Sequence, residues 1–131
     1  MRTIKFRGIA IFGKVFIYGS LIIATNEAGR VEYFIKRTSG SIQVKEESVG
    51  QFTGLKDKNS VEIYEGDIVE SMLPRNKFFD DIAKVVFRKG SFMMKSVEFE
   101  DETSCLIDSE QFIEVIGNIY MNKELLCQSN Q

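Results

Sequence analysis

The chain has no histidine and no tryptophan, one proline and two cysteines among its 131 residues. The missing histidine removes the commonest general base and the commonest transition-metal ligand. Serine–histidine and cysteine–histidine sites are therefore excluded within one chain. Cys105 and Cys127 do not have zinc-ligand spacing, and two thiols make no disulfide framework. They read as unpaired thiols of a reducing cytoplasm. No glycine-rich phosphate loop is present. These absences set the expectation that the protein is not an enzyme, needs no cofactor and holds no metal. A long uninterrupted apolar run is lacking too. The basic start followed by apolar residues up to Ala24 superficially resembles a signal peptide. Lys14 interrupts that run, and Gly8, Gly13 and Gly19 punctuate it, whereas a membrane helix needs about 20 apolar residues. The segment reads as part of a soluble, cytoplasmic domain with no membrane partner.

What is present favours strands. Apolar residues make up 44% of the chain and phenylalanine occurs 11 times, enough for a core and too much for a disordered chain. Abundant aromatic and β-branched residues with one proline fit an all-β fold. The net charge of −2 is unevenly divided. Residues 1–53 hold eight Lys or Arg against four Asp or Glu, giving +4, and residues 54–131 hold nine against fifteen, giving −6. Either the charges spread over one surface, or the two lobes dock on each other or on a neighbouring copy.

Strand patterns recur along the chain. Residues 3–12 and 15–24 read as two strands joined at Gly13-Lys14. The second has Phe16, Tyr18 and Ser20 on one face and Val15, Ile17 and Gly19 on the other, the pattern of a strand covered on both sides. Asn26 to Gly29 form a turn, residues 30–37 a half-buried strand, and Ile42 to Val44 a short one. In Gln51 to Val69, QFTGLKDKNSVEIYEGDIV, a polar cluster at Lys56 to Ser60 separates two apolar runs and reads as a hairpin loop. One of its residues, Asn59 or a neighbour, is expected at positive φ. Gly66-Asp67 favours a tight turn or bulge. Residues 72–81, with Pro74, read as a long loop. Residues 83–87 and 92–99 form a hairpin around Arg88-Lys89-Gly90. Residues 105–107 and 114–120 are further strands. Asn122 caps one helical turn, and residues 128–131 fray. About five short strands after Gly54 have the spacing of a small barrel.

The candidate chemistry is sparse. Glu65 and Asp67 are available as paired carboxylates, but short acids at turns usually bond backbone amides. Glu98, Glu100, Asp101 and Glu102 offer oxygen to Ca²⁺ without calcium-loop spacing, and so read as a solvated acidic edge. Arg75, Lys77, Phe78 and Phe79 combine charge and rings as nucleic-acid binders do, yet neighbouring acids would repel phosphate. Arg2, Lys5, Arg7 and Lys14, with no acid before Glu27, are the better candidate nucleic-acid contacts. They alternate with Ile4 and Phe6, so that the charges of Lys5 and Arg7 project from one strand face.

Several segments carry a resemblance. VGQFTGLKDKN at Val49 to Asn59, EIYEGDIV at Glu62 to Val69, IKFRG at Ile4 to Gly8, YGSLI at Tyr18 to Ile22 and VIGNIY at Val115 to Tyr120 resemble the YopX family of phage and prophage proteins. The matches bracket nearly the whole chain. The resemblance implies a small all-β protein: an N-terminal β-sheet lobe, 1–53, followed by an SH3-like barrel, 54–131, with no assigned biochemical role. Ser60 stands where the family usually has Gly. Ile9 to Phe12 is apolar where the family tends to be polar. The expected function is a non-catalytic interaction module in a bacterial host, binding a phage or host protein, with nucleic-acid binding as the alternative. The apolar run also leads to an expected homo-oligomer, first of all a dimer, with Ile11 and Phe12 at the interface.

Overall fold

The structure, a computed structural model, describes residues 2–71, 82–97, 103–106 and 110–130, the last four of these by backbone alone. The chain forms two compact units, Met1–Phe52 and Thr53–Gln131. Both are built from antiparallel strands, and no α-helix occurs among the described residues. The all-β class expected from composition is the observed one.

The first unit contains β1 (Phe6–Ile9), β2 (Phe16–Thr25), β3 (Val31–Arg37), β4 (Gly40–Val44) and the start of β5 (Gly50–Lys56). β2 pairs with β1 and β3, β3 with β4, and β1 with the start of β5. β4 then returns to the end of β1. Ala10 bridges Val44, the Ile11 N–H donates to the Gln43 carbonyl at 3.1 Å, and the Lys45 N–H donates to the Ile9 carbonyl at 2.8 Å. These bonds close β1 to β4 into a small ring around Ile17, Ile35 and Val44, with Phe6, Leu21, Tyr33 and Ile42 packed against them. Two glycines permit the tight curl. A Cβ on Gly8 would lie 2.9 Å from two Val44 side-chain carbons, and one on Gly19 would strike the Lys36 carbonyl oxygen. A 3₁₀ turn at Glu46–Ser48 follows. The buried Ser48 hydroxyl accepts from the Ile9 N–H at 2.8 Å and donates to the Lys45 carbonyl at 2.7 Å.

One expectation is corrected here. β2 is not covered on both faces: Ile17 is buried, whereas Tyr18 and Ile22 on the opposite face are exposed, as is Ile23 toward the strand's end. The ring interior takes the Ile17 and Leu21 side. An alternating apolar pattern names two faces, and only packing decides which one is covered.

The second unit begins within β5, which runs on beside β6 (Glu62–Tyr64). A five-stranded sheet follows, in the order β10-β9-β8-β7-β11, from β7 (Asp67–Ser71), β8 (Ile82–Arg88), β9 (Ser91–Ser96), β10 (Thr103–Cys105) and β11 (Ile113–Asn118). Closure of an SH3-type barrel is not among the described pairings. The core gathers Ile63, Val69, Ala83, Val85, Met94, Leu106 and Ile113. β8 and β9 are joined by Lys89 and Gly90, at φ 51° and 82°. Two left-handed residues give the turn whose twist suits a two-residue hairpin. Phe87 and Phe92 pair across it edge to face, with ring centroids 5.1 Å apart. β11 slips register on β7 between Val115 and Gly117. A 3₁₀ segment at Lys123–Asn130 closes the chain and is longer than the single turn expected. The expected loop at 72–81 lies outside the described residues.

Candidate functional site

The most legible motif turns out to be scaffolding. In GLKDKN the Asp57 carboxylate is 5% exposed. Its Oδ1 accepts from the Asn59 and Val61 N–H groups at 2.8 and 2.9 Å, and its Oδ2 accepts from the Val115 N–H at 2.9 Å. One acid thus shapes its own loop and ties it to β11, 58 residues away. The Lys58 N–H adds a bond to the Ile113 carbonyl at 3.1 Å, and the Lys58 ammonium lies 3.7 Å from Glu114. The loop residue with positive φ is Ser60, at 66°.

EIYEGDIV and VIGNIY meet in space. Gly66 sits at φ 94°, donates its N–H to the Val85 carbonyl and accepts from the Ile119 N–H, each at 2.9 Å. A Cβ there would lie 3.1 Å from the Tyr120 ring. The buried Asp67 accepts from the Tyr64 N–H at 2.8 Å, the turn role expected of it, while Glu65 is half-buried. Asn118 Oδ1 accepts from the Tyr120 and Met121 N–H groups, and Asn122 Oδ1 accepts from the Asn118 N–H at 3.1 Å. Asn122 was expected to cap the following turn, and its side-chain oxygen instead serves the strand end before it.

The four basic candidates do not form one face. Arg2 and Lys14 are exposed. Lys5 is half-buried, its ammonium 5.5 Å from the centroid of the Phe52 ring. Arg7 is 4% exposed, its guanidinium 4.1 Å from the Phe16 centroid. A planar cation on a ring is a packing element as much as a charge. The candidates Arg75, Lys77, Phe78 and Phe79, and the acidic set Glu98, Glu100, Asp101 and Glu102, lie outside the described residues. Cys105 is an exposed free thiol.

Among the described residues, the apolar run carries the most exposed large apolar side chain. β1 ends at Ile9, and the Gly13 N–H donates to the Ala10 carbonyl at 2.9 Å, which turns the chain back toward β2. Phe12, at the tip of that turn, is 98% exposed, and Val15 is 69% exposed. Beside the tip lies an apolar depression of about 440 Å³ lined by Ala10, Ile11, Phe12, Gly13, Ile42 and Gln43. Both expected interface residues, Ile11 and Phe12, line it. The Gln43 amide is steadied by the Glu32 carboxylate at 3.2 Å. The depression needs Ile42 and Gln43 of β4 beside the loop, a pairing that no local pattern in the chain reveals.

These features define a class: a small two-unit all-β protein whose buried acids and half-buried amides bond backbone, and whose most exposed aromatic among the described residues stands on a tied turn. The chain belongs to the YopX family, whose model, described as YopX protein, matches residues 5–127. Protein EF1440 from Enterococcus faecalis is similar over 96% of this chain and 99% of its own, with 25% identity and a TM-score of 0.56. YopX from Bacillus subtilis is similar in fold over 96% and 97%, with 22% identity and a TM-score of 0.54. A search of curated proteins finds no match. Among the described residues, no helix is long and apolar enough to cross a membrane.

Proposed function

We propose that the protein is a non-catalytic interaction module of phage or prophage origin, acting in the cytoplasm of a bacterial host, and that residues 11–15 are its docking element. The carrying observation is Phe12. A phenyl ring 98% exposed on a turn tied by main-chain hydrogen bonds is an anchor already in place. Such a ring loses little conformational freedom on binding and buries about 150–250 Å². The chain has no histidine, both Asp57 oxygens accept from backbone amides, and Asp67 Oδ2 accepts from the Tyr64 N–H. These points favour binding over catalysis.

Burial of Arg7 weakens the nucleic-acid alternative, since phosphate contacts need cations that reach solvent. Immobilised wild type and Phe12→Ser, exposed to extracts of phage-carrying cells, test the reading. The expected result is a protein retained by the wild type and lost by the variant. Equal retention by both would refute the docking role. Retention of nucleic acid, lost on replacing Arg2, Lys5 and Lys14 by Ala, would transfer the function to the basic residues.

A further inference from the structure

We infer that the partner docks through an extended, acidic segment of another protein, which adds as a strand to the open edge of β4 beside Phe12. The inference rests on the docking role proposed above and names the partner's chemistry and its mode of binding. β4 is an end strand of its sheet. Main-chain groups along a strand point alternately to its two edges. Gln43 and Lys45 point away from β3, because the Gln43 carbonyl accepts from the Ile11 N–H and the Lys45 N–H donates to the Ile9 carbonyl. Ser41, opposite Lys36 of β3, therefore points the same way. The chain after β1 lines this edge only as far as Gln43, because the Gly13 N–H to Ala10 bond turns it away. Beyond that step, no main-chain bond from the described residues meets the Ser41 N–H, the Ser41 carbonyl or the Gln43 N–H. A guest strand continuing the line of β1 would pair with these groups, as in strand addition to a sheet edge. The apolar depression lies at the same step, lined by Ile11, Phe12 and Ile42 among others. An apolar side chain of the guest thus enters where its backbone pairs.

Charge selects an acidic guest. Lys36 and Arg37 stand opposite Ser41 and Gly40 and are exposed, and Lys14, two residues after Phe12, is exposed too. The Glu32 carboxylate of this region is engaged by the Gln43 amide. The exposed Glu46 and Glu47 follow Val44, past the part of the edge that Ala10 already holds. Residues 1–53 carry a net charge of +4. Aspartate or glutamate beside the guest's apolar anchor would therefore be drawn to this edge and fix its orientation.

Selection of random short peptides from a displayed library, on the full chain, is the test. The peptides retained should combine a large apolar residue with Asp or Glu. One of them, synthesised, should bind with the weak affinity of a small contact, between micromolar and sub-millimolar Kd, and more weakly as salt rises. Methylating its backbone nitrogens on the pairing edge should weaken it by at least about tenfold. Its binding should slow hydrogen exchange of the Ser41 and Gln43 N–H groups. Phe12→Ser, and Lys36→Glu combined with Arg37→Glu, should each weaken it by about tenfold. No retained peptide, retained peptides without acids, full tolerance of the methylated nitrogens, or unchanged exchange at Ser41 and Gln43 overturns the inference. A free chain that dimerises in sedimentation, and loses the dimer on Ser41→Pro, would give the edge to a second copy and overturn it as well. If the partner from cell extracts still requires Phe12 while acidic peptides fail to bind, the docking role stands and the added strand falls.

Discussion

The two units satisfy the same need, partners for the backbone groups where strands end and turn, with different materials. In residues 1–52 the sheet curls until β4 meets the end of β1, and one serine hydroxyl serves the Ile9 N–H inside the closure. Small residues and apolar contacts do the rest, and the turn from β1 to β2 is left facing water with its phenylalanine out. In residues 53–131, acids and amides take over. Asp57, Asp67, Asn118 and Asn122 together accept seven backbone N–H bonds. Side chains that bond backbone need particular residues at particular positions. A ring closed by main-chain bonds needs chiefly room, which Gly8 and Gly19 provide. Much of the recognisable sequence is therefore architecture in the second unit, while the exposed apolar loop of the first is free to serve binding.

The sharpest way to break this comparison is Asp57→Ala. It strands three N–H donors around a buried site, and charged hydrogen bonds of this kind contribute about 1.5–3 kcal/mol each, not additively. A loss of about 3–4 kcal/mol is expected in urea denaturation. A loss under about 1 kcal/mol would mean that the carboxylate is not what holds the loop to β11. Gly19→Ala is the counterpart in the first unit. Its methyl group meets backbone rather than a yielding side chain, so a loss of about 2–3 kcal/mol is expected by the same assay.

Next in size is a pair of glycines within the second unit. Gly66 and Gly54 have similar φ, 94° and 88°, but a Cβ would touch Tyr120 at Gly66 and nothing within 4 Å at Gly54. Gly54→Ala should cost about 1 kcal/mol of backbone strain alone. Gly66→Ala should cost about 2 kcal/mol, the excess being the contact that joins the two motifs. Equal losses in thermal or urea unfolding would show that Tyr120 yields freely.

How much of this was legible follows from range. Turns are local, so the polar cluster ahead of Val61, the Lys89-Gly90 hairpin and the turn role of Asp67 could be read from neighbours in sequence. The Asp57 bond to Val115 spans 58 residues, and nothing in GLKDKN distinguishes an acid that serves only its own loop from one that also serves a distant strand. Arg7 shows the same limit. Alternation with Ile4 and Phe6 has its charge project from a strand face, yet Arg7 is 4% exposed and lies against the Phe16 ring, because the sequence does not say what covers a face. The loop at Phe12 was legible as surplus apolar surface. The depression beside it was not, because it depends on β4 pairing back to β1.

Ser60→Gly should raise stability, by at most about 1 kcal/mol. Ser60 holds φ 66°, a region where a Cβ is strained and glycine is not. The gain is reduced because glycine has more freedom to lose on folding. A clear fall in melting temperature would show that the serine side chain makes a contact outweighing its strain.

The smallest expected effect sharpens the contrast between the units most. Phe12→Ser should leave stability within about 0.5 kcal/mol of the wild type, as surface changes away from packing do. A phenyl ring 98% exposed gives up almost no burial when removed. Removing a ring from a core would cost about 3–5 kcal/mol. If Phe12→Ser unfolds at the same urea concentration as the wild type yet loses its partner, the ring serves association and not the fold. If the midpoint falls by an amount typical of a core substitution, Phe12 is packed in solution. The first unit would then cover its apolar surface as fully as the second, and the loop would no longer be available for binding.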